Sequence, residues 1–324
     1  MRYNVVVCVL VLVVLVLSGC TTQQSNDNQE KDGETEFSSL WVKDPDMILA
    51  GTTSTCSLVF DDGTVRMYFM DADGGISYMD SADGKNFSDA LGTDIPNNPR
   101  PMDPAVVYIQ EIYLMFYRVM INPGEPGEQS VDELWRAESP DGISFVNYSK
   151  VAGPSSDNSQ PVNVPDVIVL SDDRLRIYAT QMHDGINTAV SNDLGKTWVN
   201  DGQNLVSLGA CDPDVHMEDD GTYVMYYTDT VIPDYASGWS KDKIKEEKIE
   251  ENYIRKVVSS DGLKWEKSEE DVIGPLPELP SNGCVFDPDY VKLSDWTEVI
   301  YFARATGEEK DHGTINVYRA VKTT

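Results

Sequence analysis

The sequence predicts an all-β protein, a five-bladed β-propeller whose N-terminal strand joins the last blade and closes the ring. Three recurring features predict it. A short strand entered through Asp-Pro or a relative appears as Asp103-Pro104-Ala105-Val106, Val164-Pro165-Asp166-Val167, Asp212-Pro213-Asp214-Val215 and Asp287-Pro288-Asp289-Tyr290, with Cys56-Ser57-Leu58-Val59, Cys56 aligned with the Pro, in a degenerate first copy. An aromatic strand follows each: Arg66-Met67-Tyr68-Phe69, Leu114-Met115-Phe116-Tyr117, Arg176-Ile177-Tyr178-Ala179, Val224-Met225-Tyr226-Tyr227 and Val299-Ile300-Tyr301-Phe302. After the first four hairpins comes a Ser-x-Asp turn, complete as Ser191-Asn192-Asp193-Leu194-Gly195-Lys196-Thr197-Trp198 and shorter at Ser81, Ser139 and Ser259.

Each element has a local reason. Polar turns such as Asp61-Asp62-Gly63 and Asp219-Asp220-Gly221 lie between β-branched and aromatic runs, the mark of a hairpin. In the Ser-x-Asp turn the Asp accepts backbone N–H bonds, the Gly permits positive φ, and the aromatic anchors the outer strand. The turn aspartates Asp83, Asp141, Asp193 and Asp261 are 58, 52 and 68 residues apart, a period that suits about four strands per repeat. Five hairpins but four such turns leave the last blade one strand short. Residues 37–50, with Leu40-Trp41-Val42, are expected to supply it, which also removes exposed sheet edges.

Ahead of the repeats, Val5 to Leu17 form an apolar run of 13 residues, too short to span a bilayer and suited to a signal peptide. The run ends in Leu17-Ser18-Gly19-Cys20, which resembles the lipobox of prokaryotic lipoproteins. The expected organisation is a signal peptide over 1–19, a polar tether over 20–36 starting at a lipidated Cys20, and a propeller over 37–324. That places the protein on the cell surface, held to the outer face of the membrane by lipid alone. A formal net charge of −30 argues against nucleic acid and anionic headgroups as partners, because phosphates would be repelled. A monomer is expected.

The repeats resemble the five-bladed propeller superfamily of glycoside hydrolases, families 43 and 32, and more distantly the sialidases, which share the Ser-x-Asp turn. The resemblance implies a funnel where the inner strands begin and a carbohydrate as partner. Asp103, Asp212 and Asp287 would converge there as catalytic carboxylates, with Asp166, Asp214 and Asp289 two positions on, on the same strand face. Crowded carboxylates split in pKa, so that one serves as acid and another as base. Family 43 implies an Asp opening blade one, an Asp opening blade two and a Glu opening blade three. The chain has Cys56-Ser57, Asp103 and Val164-Pro165-Asp166 at these places.

Further substrate-binding candidates are Arg118 and Arg304, which end their aromatic strands, His183 after the third hairpin, and Trp239 in an insertion over 231–252. A second insertion covers 120–133. No cofactor is implied by the motifs, although a ring of Asp carboxylates could hold Ca²⁺. Cys284 could form a disulfide with Cys56 or Cys211. Two functions are open: a surface-anchored glycoside hydrolase acting through a carboxylate-lined funnel, and a non-catalytic propeller that captures glycan.

Overall fold

The computed structural model describes residues 40–121, 131–155, 160–181, 185–203, 205–206, 209–230, 252–274, 284–306 and 314–323. Every regular element among them is a β-strand. Strands β1 (Trp41–Lys43) and β2 (Leu49–Ala50) come first. Blade one is β3 (Cys56–Val59), β4 (Val65–Met70), β5 (Ile76–Ser81) and β6 (Leu91–Gly92), and blade two is β7 (Pro101–Ile109), β8 (Ile112–Ile121), β9 (Val131–Ser139) and β10 (Val146–Ser155). Blade three is β11 (Pro165–Val169), β12 (Leu175–Gln181), β13 (Gly185–Ser191) and β14 (Val199–Gly202). Blade four is β15 (Ala210–Met217), β16 (Tyr223–Thr230), β17 (Asn252–Ser259) and β18 (Glu266–Ile273). Blade five takes β19 (Val285–Lys292), β20 (Glu298–Thr306) and β21 (Thr314–Lys322) from the C-terminal part of the chain.

Blade five is completed by the N-terminal strand. β1 pairs antiparallel with β21, Trp41 opposite Lys322 and Lys43 opposite Ala320, and β2 pairs further along the same strand. The propeller is therefore closed by hydrogen bonds between the two ends of the chain.

The hydrophobic core is divided among the blade interfaces. Five clusters of buried side chains each join two neighbouring blades; one of them unites Tyr226 and Ile254 of blade four with Val285, Phe302 and Trp41 of blade five. Each interface carries an edge-to-face aromatic pair between a second-strand ring and the anchoring ring of the next blade. These are Tyr68–Phe145, Phe116–Trp198, Tyr178–Trp265, Tyr301–Phe87 and Tyr226–Trp41, with centroids 5.5–6.1 Å apart. Trp41 stands where the missing fifth turn would have placed its aromatic.

In the turns themselves, Asp193 Oδ1 accepts Lys196 N–H at 3.0 Å and Thr197 N–H at 2.9 Å. The glycines there are sterically required: a Cβ on Gly195, at φ +77°, would lie 2.3 Å from the Phe116 ring of the neighbouring blade. Three second-strand tyrosines also donate to these glycine carbonyls, Tyr68 to Gly142 at 2.7 Å, Tyr178 to Gly262 at 3.1 Å and Tyr301 to Gly84 at 2.7 Å.

Because Trp41 is buried at the closing interface, Trp41→Ala should destabilise the fold by about 3–5 kcal/mol. Guanidinium unfolding of the two proteins measures this. A loss below about 1 kcal/mol, the size of an ordinary substitution, would show that closure rests on the β1 and β2 backbone alone.

Candidate functional site at the propeller axis

Register aligns the five inner strands. Cys56, Ala105, Asp166, Asp214 and Asp289 lie opposite Tyr68, Phe116, Tyr178, Tyr226 and Tyr301 respectively. Two residues earlier stand Ser54, Asp103, Val164, Asp212 and Asp287, all with left-handed φ between 45° and 53°. This corrects the sequence alignment of blade one. The blade opens with Ser54-Thr55-Cys56, and Cys56 is the counterpart of the second Asp rather than of the Pro. In blades two, four and five the left-handed residue sits in a β-bulge, between Met102 and Ala105, Cys211 and Asp214, and Phe286 and Asp289.

The strand starts thus form two rings about the axis. Ser54, Asp103, Val164, Asp212 and Asp287 make an entry ring, and Cys56, Ala105, Asp166, Asp214 and Asp289 an inner ring. Together with the intervening residues they line a depression of about 390 Å³, counting its open mouth. Five of the six predicted carboxyls line it; Asp289 and Ala105 of the inner ring do not.

The inner ring ties blade to blade. Asp166 accepts the Val215 N–H at 2.7 Å, Asp214 the Tyr290 N–H at 3.1 Å, and Asp289 both the Ser57 N–H at 3.0 Å and its hydroxyl at 2.7 Å. Cys56 Sγ does the same for Val106 N–H at 3.2 Å. Burial pushes the Asp166 carboxyl up to about 7, its backbone bonds only partly offsetting this. Burial, then the charges of Asp166 and Asp289, push Asp214 well up, and burial raises Asp289. Burial likewise holds the Cys56 thiol protonated.

The entry ring is organised differently. Asp103 pairs with Arg118 Nη1 at 3.3 Å, while Arg118 Nε pairs with Asp132 at 2.8 Å. Asp212 and Asp287 stand on the neighbouring blades four and five, and each carboxyl shifts the other. Burial, followed by the charge of Asp212, drives Asp287 well up. Burial raises Asp212 too, its neighbours Asp287 and Thr228 only partly offsetting this. Asp287 Oδ2 also accepts the Ser54 N–H at 3.1 Å, the Ser54 hydroxyl at 3.0 Å and the Thr53 hydroxyl. Backbone N–H groups of Asp212 and Asp287 donate to Thr180 at 2.9 Å and Thr228 at 3.1 Å. Thr53, Ser54, Thr180, Thr228 and Asp132 escaped the sequence reading. Aligning the copies on the second-strand tyrosine instead of the proline would have found Ser54.

Other candidates lie elsewhere. Arg304 is opposite Val285 and one residue further along its strand than the counterpart of Arg118; its guanidinium lies 5.2 Å over the Tyr318 ring. It is not among the residues lining the depression. His183, Trp239 and Cys20 fall outside the described residues. Both insertions leave between the second and third strands of their blades, after Ile121 and after Thr230, at the end where the inner strands begin. Cys56, Cys211 and Cys284 are free thiols, so the expected disulfide is not formed. Among the described residues no group of three or more His, Cys, Asp or Glu side chains is placed to hold a metal ion.

No family model and no curated protein sequence matches the chain. Solved structures do resemble it. A xylan β-1,4-xylosidase from Bacillus halodurans superposes with a TM-score of 0.59 at 11% identity over 86% of this chain and 54% of its own. A thermostable family-43 glycoside hydrolase gives 0.59 at 14% identity over 86% and 91%. A family-32 β-fructofuranosidase from Bombyx mori gives 0.55 at 11% over 84% and 61%. The chain thus spans about half the length of the xylosidase. At these identities the likeness establishes the five-bladed fold.

The raised inner-ring carboxyls set a pH dependence. A carboxyl whose folded pKa lies above its unfolded value binds more protons folded than unfolded, so its contribution is full below about pH 4 and is lost as pH rises through the folded value, about 7 for Asp166. Asp166→Asn keeps an acceptor for Val215 N–H and removes the titration. Relative to this variant, the wild type should lose a few kcal/mol of unfolding free energy between pH 4 and pH 8. Urea unfolding across that range measures it, and parallel curves for the two proteins would refute a raised Asp166.

Proposed function

We propose that the protein is a glycoside hydrolase-like propeller that acts on extracellular glycan in the axial depression. Asp287 is the proton donor, Asp212 its neighbour on the adjoining blade, and Asp103, fixed by Arg118, the carboxylate on the other side. The feature that carries this reading is the opposition of two carboxyls on blades four and five, both pushed up by burial, to an ion-paired carboxylate on blade two. In a ring of five, blade two neighbours neither of the others, so the three groups flank the axis. A buried acid protonates the departing glycosidic oxygen, while a facing carboxylate attacks the sugar or activates water. The fold shared with family-43 and family-32 enzymes supports carbohydrate as the partner.

A capture module is the second reading, and one feature favours it. Asp212 and Asp287 shift each other as a pair on neighbouring blades, whereas a two-carboxylate displacement needs two separately acting groups about 5 Å or more apart. The pair can therefore act only as one acid, and without Asp103 in a second role the depression would bind sugar hydroxyls and leave the bond intact.

Chromogenic glycosides and a glycan array, applied to the 37–324 fragment, separate the two. Asp287→Asn and Asp103→Asn should each reduce turnover about 10²–10⁴-fold per folded molecule. Saturable glycan binding without turnover in the wild type selects capture, and unchanged turnover in both variants removes these residues from the chemistry. For the membrane attachment, Cys20→Ala should release the protein into the soluble fraction, because the sequence offers no polybasic stretch to hold it. Retention of the processed variant on membranes would refute lipid anchoring.

A further inference from the structure

The entry ring contains one residue that its backbone does not suit. The left-handed conformation recurs in all five blades, so it belongs to the fold. Asp and Ser are side chains that accept it through local hydrogen bonds, and they fill four of the five positions. The fifth is Val164, at φ 45°. A β-branched residue there is a genuine outlier, and such outliers concentrate where function holds them.

Core packing does not compensate Val164. It is half-buried, and it belongs to no hydrophobic cluster, unlike Val162 and Val167 on either side. It lines the depression instead. In the ring it stands between Asp103 of blade two and Asp212 of blade four, the one apolar member among carboxyls and a hydroxyl. A bond network fixes it beside Asp212. Thr180 N–H donates to the carbonyl of Asn163 at 2.8 Å, and Thr180 Oγ1 accepts the Asp212 N–H at 2.9 Å. One threonine therefore ties the peptide before Val164 to the backbone of the acid pair.

We propose that Val164 is a positioning residue of the entry ring: its isopropyl group keeps water away from the Asp212 and Asp287 carboxyls on the blade-three side. A polar residue would satisfy the backbone better, but it would bring a hydrogen-bonding group and its water against Asp212. Hydration favours the charged form, and the pair would ionise at lower pH. The inference deepens the acid–base reading above and rests on the same ring.

The test needs no substrate. Carboxyl resonances of ¹³C-labelled aspartate are followed through a pH titration in the wild type, Val164→Thr and Val164→Asn, and assigned by their disappearance in Asp212→Asn and Asp287→Asn. Val164→Thr keeps the shape and the strain and adds a hydroxyl; Val164→Asn relieves the strain. Both should lower the midpoint of the pair by about one unit. Val164→Asn should also raise Tm by a few degrees, the direction expected when a residue suited to positive φ replaces one that is not. Midpoints unmoved in both variants would overturn the proposal, whatever the change in Tm. Turnover of chromogenic glycosides is read separately. Moved midpoints in a wild type that hydrolyses nothing leave Val164 in its role and remove hydrolysis, while hydrolysis with unmoved midpoints does the reverse.

Discussion

The closed ring rests on one repeated hydrogen bond: a side chain of each inner strand accepts a backbone N–H of the next blade. Four of the five interfaces make it, through Cys56, Asp166, Asp214 and Asp289, and only Ala105 lacks an acceptor. The acceptor must be short and must point along the ring, so it is a carboxyl or a thiol. This brings three carboxyls to the centre of a protein whose net charge is already −30. The Arg118 guanidinium is engaged by Asp103 and Asp132. Burial pushes all three toward the neutral form, which keeps an acceptor oxygen while shedding the charge that burial penalises.

A second lock operates further out. Each second-strand aromatic meets the anchoring ring of the following blade edge-on, an arrangement that adds about 0.5–1.5 kcal/mol beyond the buried area. The two locks divide the work between polar and apolar contacts at different radii. The outer one explains why a chain lacking a fifth Ser-x-Asp turn still closes. Trp41 brings the indole to Tyr226 without the turn, and the backbone pairing of β1 and β2 to β21 supplies the strand.

Most of this fold was legible because the sequence says the same thing several times over. A motif repeated at hydrophobic strands and tight turns leaves few architectures. Blade one misled because Thr55 stands where the other blades have Pro, which shifted Cys56 by one position. The same one-residue offset separates Arg304 from Arg118. In a strand a shift of one turns the side chain to the opposite face, so two arginines that look alike in sequence point to different surroundings. Contacts between blades were not legible at all. Ser54 and Asp287 are 233 residues apart, and nothing local announces that a hydroxyl and an N–H from one end of the chain hold a carboxyl from the other.

Repetition also decides which carboxyls are construction and which are free for chemistry. In the inner ring the carboxyl itself makes the bond that joins blades, and replacing it would cost the fold. In the entry ring the repeated feature is the left-handed backbone, and Ser54 and Val164 adopt it without any carboxyl. The fold therefore asks for a conformation at these positions and leaves the side chain open. Asp can meet that conformation as Ser does, but the side-chain bonds of the entry carboxyls run to different partners in each blade: Arg118 for Asp103, the Cys211 thiol for Asp212, Thr53 and Ser54 for Asp287. A structural device copied from blade to blade would keep its partners. The entry carboxyls share a backbone conformation but are not held by one repeated bond as the inner-ring carboxyls are: Asp103 is tied to an arginine, whereas Asp287 is pushed toward the neutral form by burial and by the charge of Asp212.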